Sequence, residues 1–181
     1  MMPTKYLDSF WLLVKYLLIS LGIALVLRGF IFIPMMVEGN SMNPLLDNRD
    51  MILVERLTKI KRFDVIVFQE GGITYIKRVI ALPGEKLAYK KQQLYINDKP
   101  VKEYFKDSHL SKKEQSLYYD MNDFSLDDLL GVEKLGRDSY FVLGDNRRIS
   151  KDSRSFGTVS SEQILGKACG IYYPFTHIKI I

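Results

Sequence analysis

The chain has 181 residues, 47% of them apolar, and a formal net charge of +5. This length allows one domain with a small insertion, and the apolar content is enough for a hydrophobic core. The basic residues are dispersed, without a dense Arg/Lys run or a helix-turn-helix or RNA-binding signature, which argues against a nucleic-acid partner. The excess positive charge therefore indicates a solvated basic surface, with an anionic membrane surface as the alternative.

The N-terminal segment is predicted to cross a membrane once. Residues 10–36 are almost wholly apolar, and Lys15 and Arg28 are the charged residues among them. Because about 20 apolar residues span a bilayer, we expect a tail at residues 1–9 and a transmembrane anchor at residues 10–30. A cleaved signal peptide is the alternative, but no A-x-A site follows the apolar run, so a retained anchor is favoured. Lys15, near the start of the span, favours a cytoplasmic N-terminus and an extracytoplasmic remainder.

Beyond the anchor, the chain is predicted to be mainly β. Short apolar runs at residues 51–54 and 64–68 are typical of buried strands. Gly71 and Gly72 predict a tight turn that joins the second run to a strand at residues 75–82.

Residues 87–138 are predicted to form an inserted peripheral β subdomain. It begins with a hairpin whose Asn-Asp turn lies at residues 97–98. From residue 102 onward it is polar and charged, with a short helix predicted at residues 125–130. We expect this polar part to lie away from the functional motifs. The predicted β core then comprises residues 31–86 and 139–181.

Lys77 is the most informative residue, because it lies in the middle of a strand that is predicted to be buried. Strand alternation places it on one face with Tyr75 and Val79, and places Arg78 on the other face. An ammonium group among apolar side chains is destabilised relative to the neutral amine, so its pKa falls. A neutral lysine accepts protons at neutral pH, which makes Lys77 a candidate general base. The ordinary alternative is an edge lysine whose amine reaches solvent.

Ser41 and a polar loop are the other candidate features. Ser41 follows a Gly-Asn pair, where a serine is most often only a turn residue. Residues 144–157 follow a predicted strand and place Asp, Asn, Ser and Arg between two glycines, which is more polar chemistry than a turn requires. Within this loop, Asp152 and Arg154 are predicted to form an ion pair, and Ser150 to offer a hydroxyl to a neighbouring polar group.

The sequence has no pattern for a disulfide, a metal or a cofactor. Cys169 is the single cysteine, which excludes an intramolecular disulfide, and its apolar surroundings predict a packed core thiol. The two histidines, His109 and His177, lie in unrelated contexts, so we expect no metal site.

Three segments together, residues 39–44, 75–85 and 144–157, resemble the conserved boxes of bacterial type I signal peptidases. The likeness extends over nearly the whole chain, and the short length with one anchor resembles the Gram-positive branch. The resemblance implies a signal-peptidase/repressor-protease-like β fold with a single N-terminal transmembrane helix in the cell membrane. It also implies a serine endopeptidase without cofactor or metal, which cuts exported preproteins after small residues of the Ala-x-Ala type.

The resemblance also implies roles for individual residues. Ser41 matches the nucleophile of the family and Lys77 its general base, while Ser150 matches the hydroxyl that orients the lysine amine. Asp152 and Arg154 match a supporting ion pair. The residues that match the bracing part of the loop are Asp145, Asn146 and Arg147.

Three positions depart from the family's usual pattern. Leu45 stands where members often have Thr, and Phe63 where they often have Gly; both are interpreted as packing or turn positions. Gly39 stands where other branches have a serine whose hydroxyl helps to bind the oxyanion. The backbone N–H of Ser41 is therefore the expected oxyanion donor.

Three alternatives remain open from the sequence. A dedicated processing peptidase for one pilin or surface protein would share all of these residues. A non-catalytic assembly factor would be expected to lack Ser41 or Lys77, and both are present. A self-cleaving repressor with a related Ser–Lys core would carry a DNA-binding domain where this chain has its anchor.

Overall fold

The computed structural model describes residues 4–106 and 110–181. The chain separates into two compact units, Met1–Ile33 and Pro34–Ile181. Of the residues discussed above, His109 and the first three residues of the predicted tail lie outside the described part.

The first unit contains helix α1, Thr4–Ile31, which is 28 residues long. Its segment Ser9–Val26 has a mean hydropathy of 2.0, and 0% of that segment is buried. A helix that exposes apolar side chains on all sides suits the interior of a bilayer, which about 20 residues can cross. The predicted apolar helix is therefore confirmed in length and composition, although it begins at Thr4, inside the predicted tail.

From the end of α1 onward the chain is mainly β-structure, as predicted. The strands, numbered along the chain, are β1 (Phe32–Met36), β2 (Met51–Glu55), β3 (Val65–Glu70), β4 (Ile73–Ala81), β5 (Leu87–Lys90), β6 (Gln93–Ile96), β7 (Lys99–Val101), β8 (Phe124–Ser125), β9 (Ser139–Leu143), β10 (Val159–Ser160), β11 (Ile164–Tyr173) and β12 (Lys179–Ile180). The further helices are α2 (Lys112–Tyr119), α3 (Leu126–Leu130) and α4 (Ser153–Phe156), with 3-10 turns at Ser161–Gln163 and Phe175–His177.

These strands form two sheets. An 8-stranded sheet has the order β1-β2-β11-β3-β4-β9-β10, with β12 paired to β11, and a 4-stranded sheet has the order β7-β6-β5-β8. The smaller sheet falls within residues 87–138, but the two sheets share one hydrophobic cluster, to which Ile80 and Phe141 contribute from the larger sheet and Leu87 and Leu94 from the smaller one. The division into a core and an inserted subdomain stays a prediction.

Both predicted hairpins are confirmed. Strands β3 and β4 pair up to Glu70 and Ile73, so Gly71 and Gly72 form a two-residue turn with φ of 56° and 79°. Strands β6 and β7 are joined in the same way, through an Asn-Asp turn with φ of 49° and 63°. Turns of this kind need positive φ at both central residues, which glycine, asparagine and aspartate tolerate best.

A third hairpin, between β5 and β6, was not predicted. Its turn residues Lys91 and Gln92 have φ of 48° and 63°, which neither side chain favours. The turn is stabilised from outside, because the Lys91 N–H donates to Asp123 Oδ1 at 2.8 Å and Gln92 Nε2 donates to the Met121 carbonyl at 2.8 Å. Long-range hydrogen bonds have thus overridden local preference.

The helices of the insertion begin with capping boxes. Helix α3 starts after Ser125, in agreement with the prediction, and Ser125 and Asp128 cap one another's backbone N–H groups. Helix α2 was not predicted, although Ser111 and Glu114 form the same reciprocal cap. The S-x-x-E pattern in the sequence is the signal that indicates this helix.

The prediction of a packed core thiol at Cys169 is wrong. Cys169 is only half-buried, and its Sγ lies 3.6 Å from Glu55 Oε2. Strand β11 shifts register against β2 between Ala168 and Gly170, so Cys169 is the extra residue of an irregularity while Ala168 takes the buried position. Burial and the adjacent Glu55 raise the pKa of the Cys169 thiol, which keeps it protonated and weakly reactive.

Gly166 of β11 lies close against the end of β2. A Cβ atom at this position would lie 2.4 Å from the Glu55 carbonyl oxygen and 2.8 Å from Val54 Cγ1. We predict that Gly166→Ala lowers the free energy of unfolding by about 1–3 kcal/mol, as overpacking does, measured by urea denaturation. The control is Gly22→Ala in helix α1, where nothing lies within 4 Å of the new Cβ; equal denaturation midpoints for the two variants would contradict the assigned packing.

Candidate active site

Strand β4 carries two buried cations on opposite faces. Lys77 is 3% exposed and Arg78 is 5% exposed. Their neighbours Val79 and Ile80 belong to different hydrophobic clusters, so both faces of the strand are covered. This confirms the predicted burial of Lys77 and rules out the edge lysine. A buried charge needs a partner or loses its proton, and the two cations meet this requirement differently.

Ser41 lies in the loop between β1 and β2. The loop passes through Gly39, whose φ of +84° favours glycine, and the Gly39 N–H donates to Asn48 Oδ1 at 2.9 Å. The carbonyl of Ser41 accepts the backbone N–H of Asn146 at 3.0 Å. The position of Ser41 is therefore fixed by the hydrogen bond between Gly39 and Asn48 within its loop and by the hydrogen bond from Asn146 of the 144–157 loop.

The Lys77 amine and the Ser41 hydroxyl are in direct contact. Nζ lies 2.7 Å from Ser41 Oγ and donates to the Ile76 carbonyl at 2.8 Å. It also lies 5.6 Å from the centre of the Tyr75 ring. When the amine is neutral, its lone pair can accept the Ser41 proton at this distance.

Burial lowers the pKa of Lys77 from 10.5 to about 8, against the opposing charges of Asp152 and Asp145. Loss of hydration is thus the dominant cause, as predicted from the strand. Slightly above neutral pH, a substantial fraction of Lys77 is therefore uncharged and able to act as a base.

Arg78 is paired with a buried carboxylate, an ion pair that was not predicted. Its Nε and Nη2 donate to the two carboxylate oxygens of Asp145 at 2.7 and 2.6 Å, and its Nη1 donates to the Phe63 carbonyl at 2.7 Å. Phe63 has a φ of 69°, a conformation that glycine adopts most easily. The Phe63 position, which the family resemblance marked as a departure from glycine, is therefore one of backbone geometry, and its carbonyl helps to fix Arg78.

Asp152 and Arg154 form an ion pair through both carboxylate oxygens. Arg154 Nε and Nη2 donate to Asp152 Oδ1 and Oδ2, each at 2.8 Å. Asp152 is 0% exposed, and its Oδ2 also accepts the Gly144 N–H at 3.0 Å. The pair therefore ties the 144–157 loop back to the end of strand β9.

Ser150 does not hydrogen-bond to Lys77 in this structure. Its Oγ is buried and has no hydrogen-bond partner among the described residues. A Cβ atom on Gly144 would lie 2.1 Å from this oxygen and 2.5 Å from the Ser41 carbonyl, so only glycine fits between the two serines. The lysine amine instead contacts Ser41 and the Ile76 carbonyl, and the orienting role of Ser150 stays a prediction.

Asn146 and Arg147 connect the loop to two different parts of the chain. Asn146 reaches the turn that carries Ser41, with its Nδ2 3.4 Å from the Asn40 carbonyl. Arg147 is buried, and its Nη2 donates to Glu103 Oε1 at 2.6 Å. Glu103 belongs to the polar insertion, so the expectation that residues 102–138 lie away from the motifs is wrong. No local pattern in the sequence distinguishes Glu103 from the other acidic residues nearby.

An open groove of about 820 Å³ exposes the Ser41 and Lys77 pair. The backbone N–H of Ser41 donates no hydrogen bond within residues 4–106 and 110–181, and Ser41 lines the groove. The residues that line the groove come from the end of β1 and the following turn, from the start of β4 and from the 144–157 loop: Pro34 to Met42, Ile73 to Lys77, Ile149 and Lys151.

Among the described residues, no group of three or more His, Cys, Asp or Glu side chains is placed to hold a metal ion. His177 instead lies 3.1 Å from the Asp50 carboxylate, beside the turn before β2. The site therefore consists of a serine hydroxyl in contact with a buried lysine amine, an arrangement known in Ser–Lys hydrolases.

Comparison with known proteins agrees with this class. Residues 10–173 match the family described as signal peptidase, peptidase S26. Signal peptidase I S of Bacillus subtilis is 38% identical over 170 residues, which cover 91% of this chain and 90% of that protein. Signal peptidase IB of Staphylococcus aureus is 33% identical over 175 residues, covering 90% of this chain and 91% of that protein.

A solved structure shows the same relationship. A signal peptidase I from Enterococcus faecalis is 38% identical in sequence, superimposes with a TM-score of 0.53, and is matched over 97% of its length and 61% of this chain. The chain belongs to the signal peptidase family, peptidase S26. Its relatives in these comparisons are signal peptidases I of Gram-positive bacteria, which confirms the resemblance found in the sequence.

The Arg78–Asp145 pair generates a stability prediction. Both side chains are buried, at 6% and 2% exposed, so Asp145→Asn leaves an uncompensated guanidinium in the interior. We expect the free energy of unfolding to fall by about 3–5 kcal/mol, measured by urea denaturation. The matched control is Asp98→Asn, because Asp98 is 87% exposed and 4.0 Å from Lys86. An Asp145→Asn variant as stable as the control would refute the buried pair.

Proposed function

We propose that this chain is a membrane-anchored serine endopeptidase that removes N-terminal signal peptides from exported preproteins, with Ser41 as nucleophile and Lys77 as general base. The observation that carries the proposal is the 2.7 Å contact between Lys77 Nζ and Ser41 Oγ on the wall of an open groove. The lowered pKa of Lys77, about 8, supports its role as a base.

The reaction follows from this contact. Neutral Lys77 takes the Ser41 proton as Oγ attacks the scissile carbonyl, and the oxyanion that forms is stabilised by the Ser41 N–H. The lysine ammonium then gives its proton to the departing amine of the mature protein, which leaves the signal peptide as an ester on Ser41. Lys77, neutral again, deprotonates a water molecule that attacks the ester, and the returning proton restores the Ser41 hydroxyl.

The groove suits an extended peptide. Strand β1 is at an edge of its sheet, and among the described residues β9 pairs with β4 only at Arg78, Val79 and Ala81. The backbone at the start of β4, along the groove, therefore has one open side. A substrate strand added there gains main-chain hydrogen bonds that do not depend on its sequence. The expectation that the groove selects small residues, of the Ala-x-Ala type, rests on the family resemblance.

The proposed location is the cell membrane, with the lipid bilayer as a partner. Helix α1 serves as a single-pass anchor, with its N-terminus in the cytoplasm and the peptidase unit outside. Lys15, near the start of the apolar segment, supports this orientation. Dispersed basic residues support a protein that binds no nucleic acid, and the proposed chemistry requires neither cofactor nor metal.

A dedicated peptidase for one pilin or surface protein would use the same site, and the geometry does not favour it over a general one. The non-catalytic assembly factor is disfavoured by a specific observation. Ser41 and Lys77 are both present and in hydrogen-bond contact. Burying a lysine amine costs solvation free energy, and a non-catalytic protein would gain no activity from that cost.

We predict that Ser41→Ala and Lys77→Ala each abolish cleavage, because one removes the nucleophile and the other the base. The test uses the full chain in detergent and a preprotein with an Ala-x-Ala site, with the cut position read by mass spectrometry. Lys90→Ala, a change at an exposed lysine of the 4-stranded sheet, is the control and retains activity. Substantial turnover by either folded active-site variant would refute the dyad.

A further inference from the structure

The segment Glu103–Lys106, just after strand β7, packs against the candidate active site from the insertion. Glu103 is 8% exposed, and its Oε1 accepts Arg147 Nη2 at 2.6 Å. Its Oε2 lies 2.6 Å from Lys106 Nζ and 3.2 Å from the Tyr89 hydroxyl. Burial alone would raise the pKa of Glu103, but Arg147 and Lys106 lower it overall, so the carboxylate is charged.

Arg147 connects Glu103 to the 144–157 loop. Its Nε donates to the Gly144 carbonyl at 3.0 Å, and its own carbonyl accepts Arg154 Nη2 at 2.8 Å. The side chain is 0% exposed, and its Nη1 has no partner in the described part of the chain. Glu103 is the carboxylate that contacts this buried charge, so the position of Arg147 depends on it.

The loop that Arg147 fixes is the one that holds the nucleophile turn. The residue before it, Asn146, donates its N–H to the Ser41 carbonyl at 3.0 Å and accepts the Ser150 N–H at 3.1 Å. A displacement of Arg147 would therefore move the peptide that anchors Ser41.

Phe105, in the same segment, supports the second arginine of the site. The Arg78 guanidinium lies 4.1 Å from the centre of the Phe105 ring, and that of Arg147 lies 5.7 Å from it. Arg78 holds Asp145. One short segment of the insertion thus contacts both buried arginines that organise the loop.

We propose that Glu103 is a positioning residue: acting through Arg147, it holds the 144–157 loop, and with it Ser41, in the geometry needed for reaction. The smaller sheet and its following segment then support the active site. This inference goes beyond the proposed function and, for its kinetic test, rests on it.

The kinetic test compares Glu103→Gln with Glu133→Gln. Glu133 is also an acidic residue of the insertion. It forms an ion pair with Lys86, and the Glu133 side chain is 74% exposed. We expect Glu103→Gln to lower kcat about 10–100-fold, as small misplacements of reacting groups do, with KM unchanged, while Glu133→Gln matches wild type. Kinetics are measured at a temperature where circular dichroism shows each variant folded. The kcat is calculated from the concentration of folded protein.

A double-mutant cycle separates positioning from a general loss of stability. Arg147→Met removes the buried guanidinium that Glu103 contacts, so adding Glu103→Gln to it leaves only Lys106, whose side chain is 23% exposed, without its carboxylate partner. If Glu103 acts through Arg147, the double variant has the kcat of Arg147→Met alone. Effects of the two changes that multiply independently would overturn the inference.

Hydrogen exchange provides a readout that does not need activity. In Glu103→Gln, the amides of Asn146 and Ser150 exchange faster than in wild type, whereas in Glu133→Gln they do not. Unchanged exchange together with wild-type kcat would overturn the positioning role. A wild-type chain that cleaves no preprotein would instead defeat the proposed function, and the exchange comparison would still decide the inference.

Discussion

The arrangement around Ser41 depends on keeping one lysine amine out of water. Burial lowers the pKa of Lys77 to about 8, yet two buried carboxylates, Asp145 and Asp152, act in the opposite direction. Each carboxylate is held through both of its oxygens by an arginine. A carboxylate paired in this way projects less charge onto its surroundings, so desolvation dominates at the amine. The two arginine pairs therefore fit the proposed role of Lys77 as a base.

The same requirement explains why the site is packed so closely. The loop after β9 must exclude water from Lys77 and still approach the turn that carries Ser41. Gly144 makes this possible, because any Cβ there would overlap both Ser150 Oγ and the Ser41 carbonyl. Support for the loop comes from the insertion, since Arg147 is balanced by Glu103. A region that resembled a peripheral addition in sequence thus contributes charge and packing beneath the active site.

Features encoded by local pattern could be predicted from the sequence, and features set by distant pairing could not. Alternation along β4 predicted the burial of Lys77, and Gly71 with Gly72 predicted a hairpin, because each depends only on neighbours in the chain. Glu103 contacts a residue separated from it by 44 positions. The exposure of Cys169 depends on a register shift between β11 and β2. The contacts of Ser150 likewise depend on how the loop folds back, which no spacing specifies.

The most direct test of this account is a titration of Lys77 itself. NMR of lysine side chains labelled with ¹³C and ¹⁵N in the full chain, with the Lys77 signal assigned through its loss in Lys77→Met, reports the protonation of the amine. We predict a midpoint near pH 8, down from 10.5. Because the unfolded chain holds this proton more tightly, raising the pH through that interval also stabilises the fold. A Lys77 midpoint close to that of the exposed lysines, about 10.4, would contradict the claim that burial makes it the base.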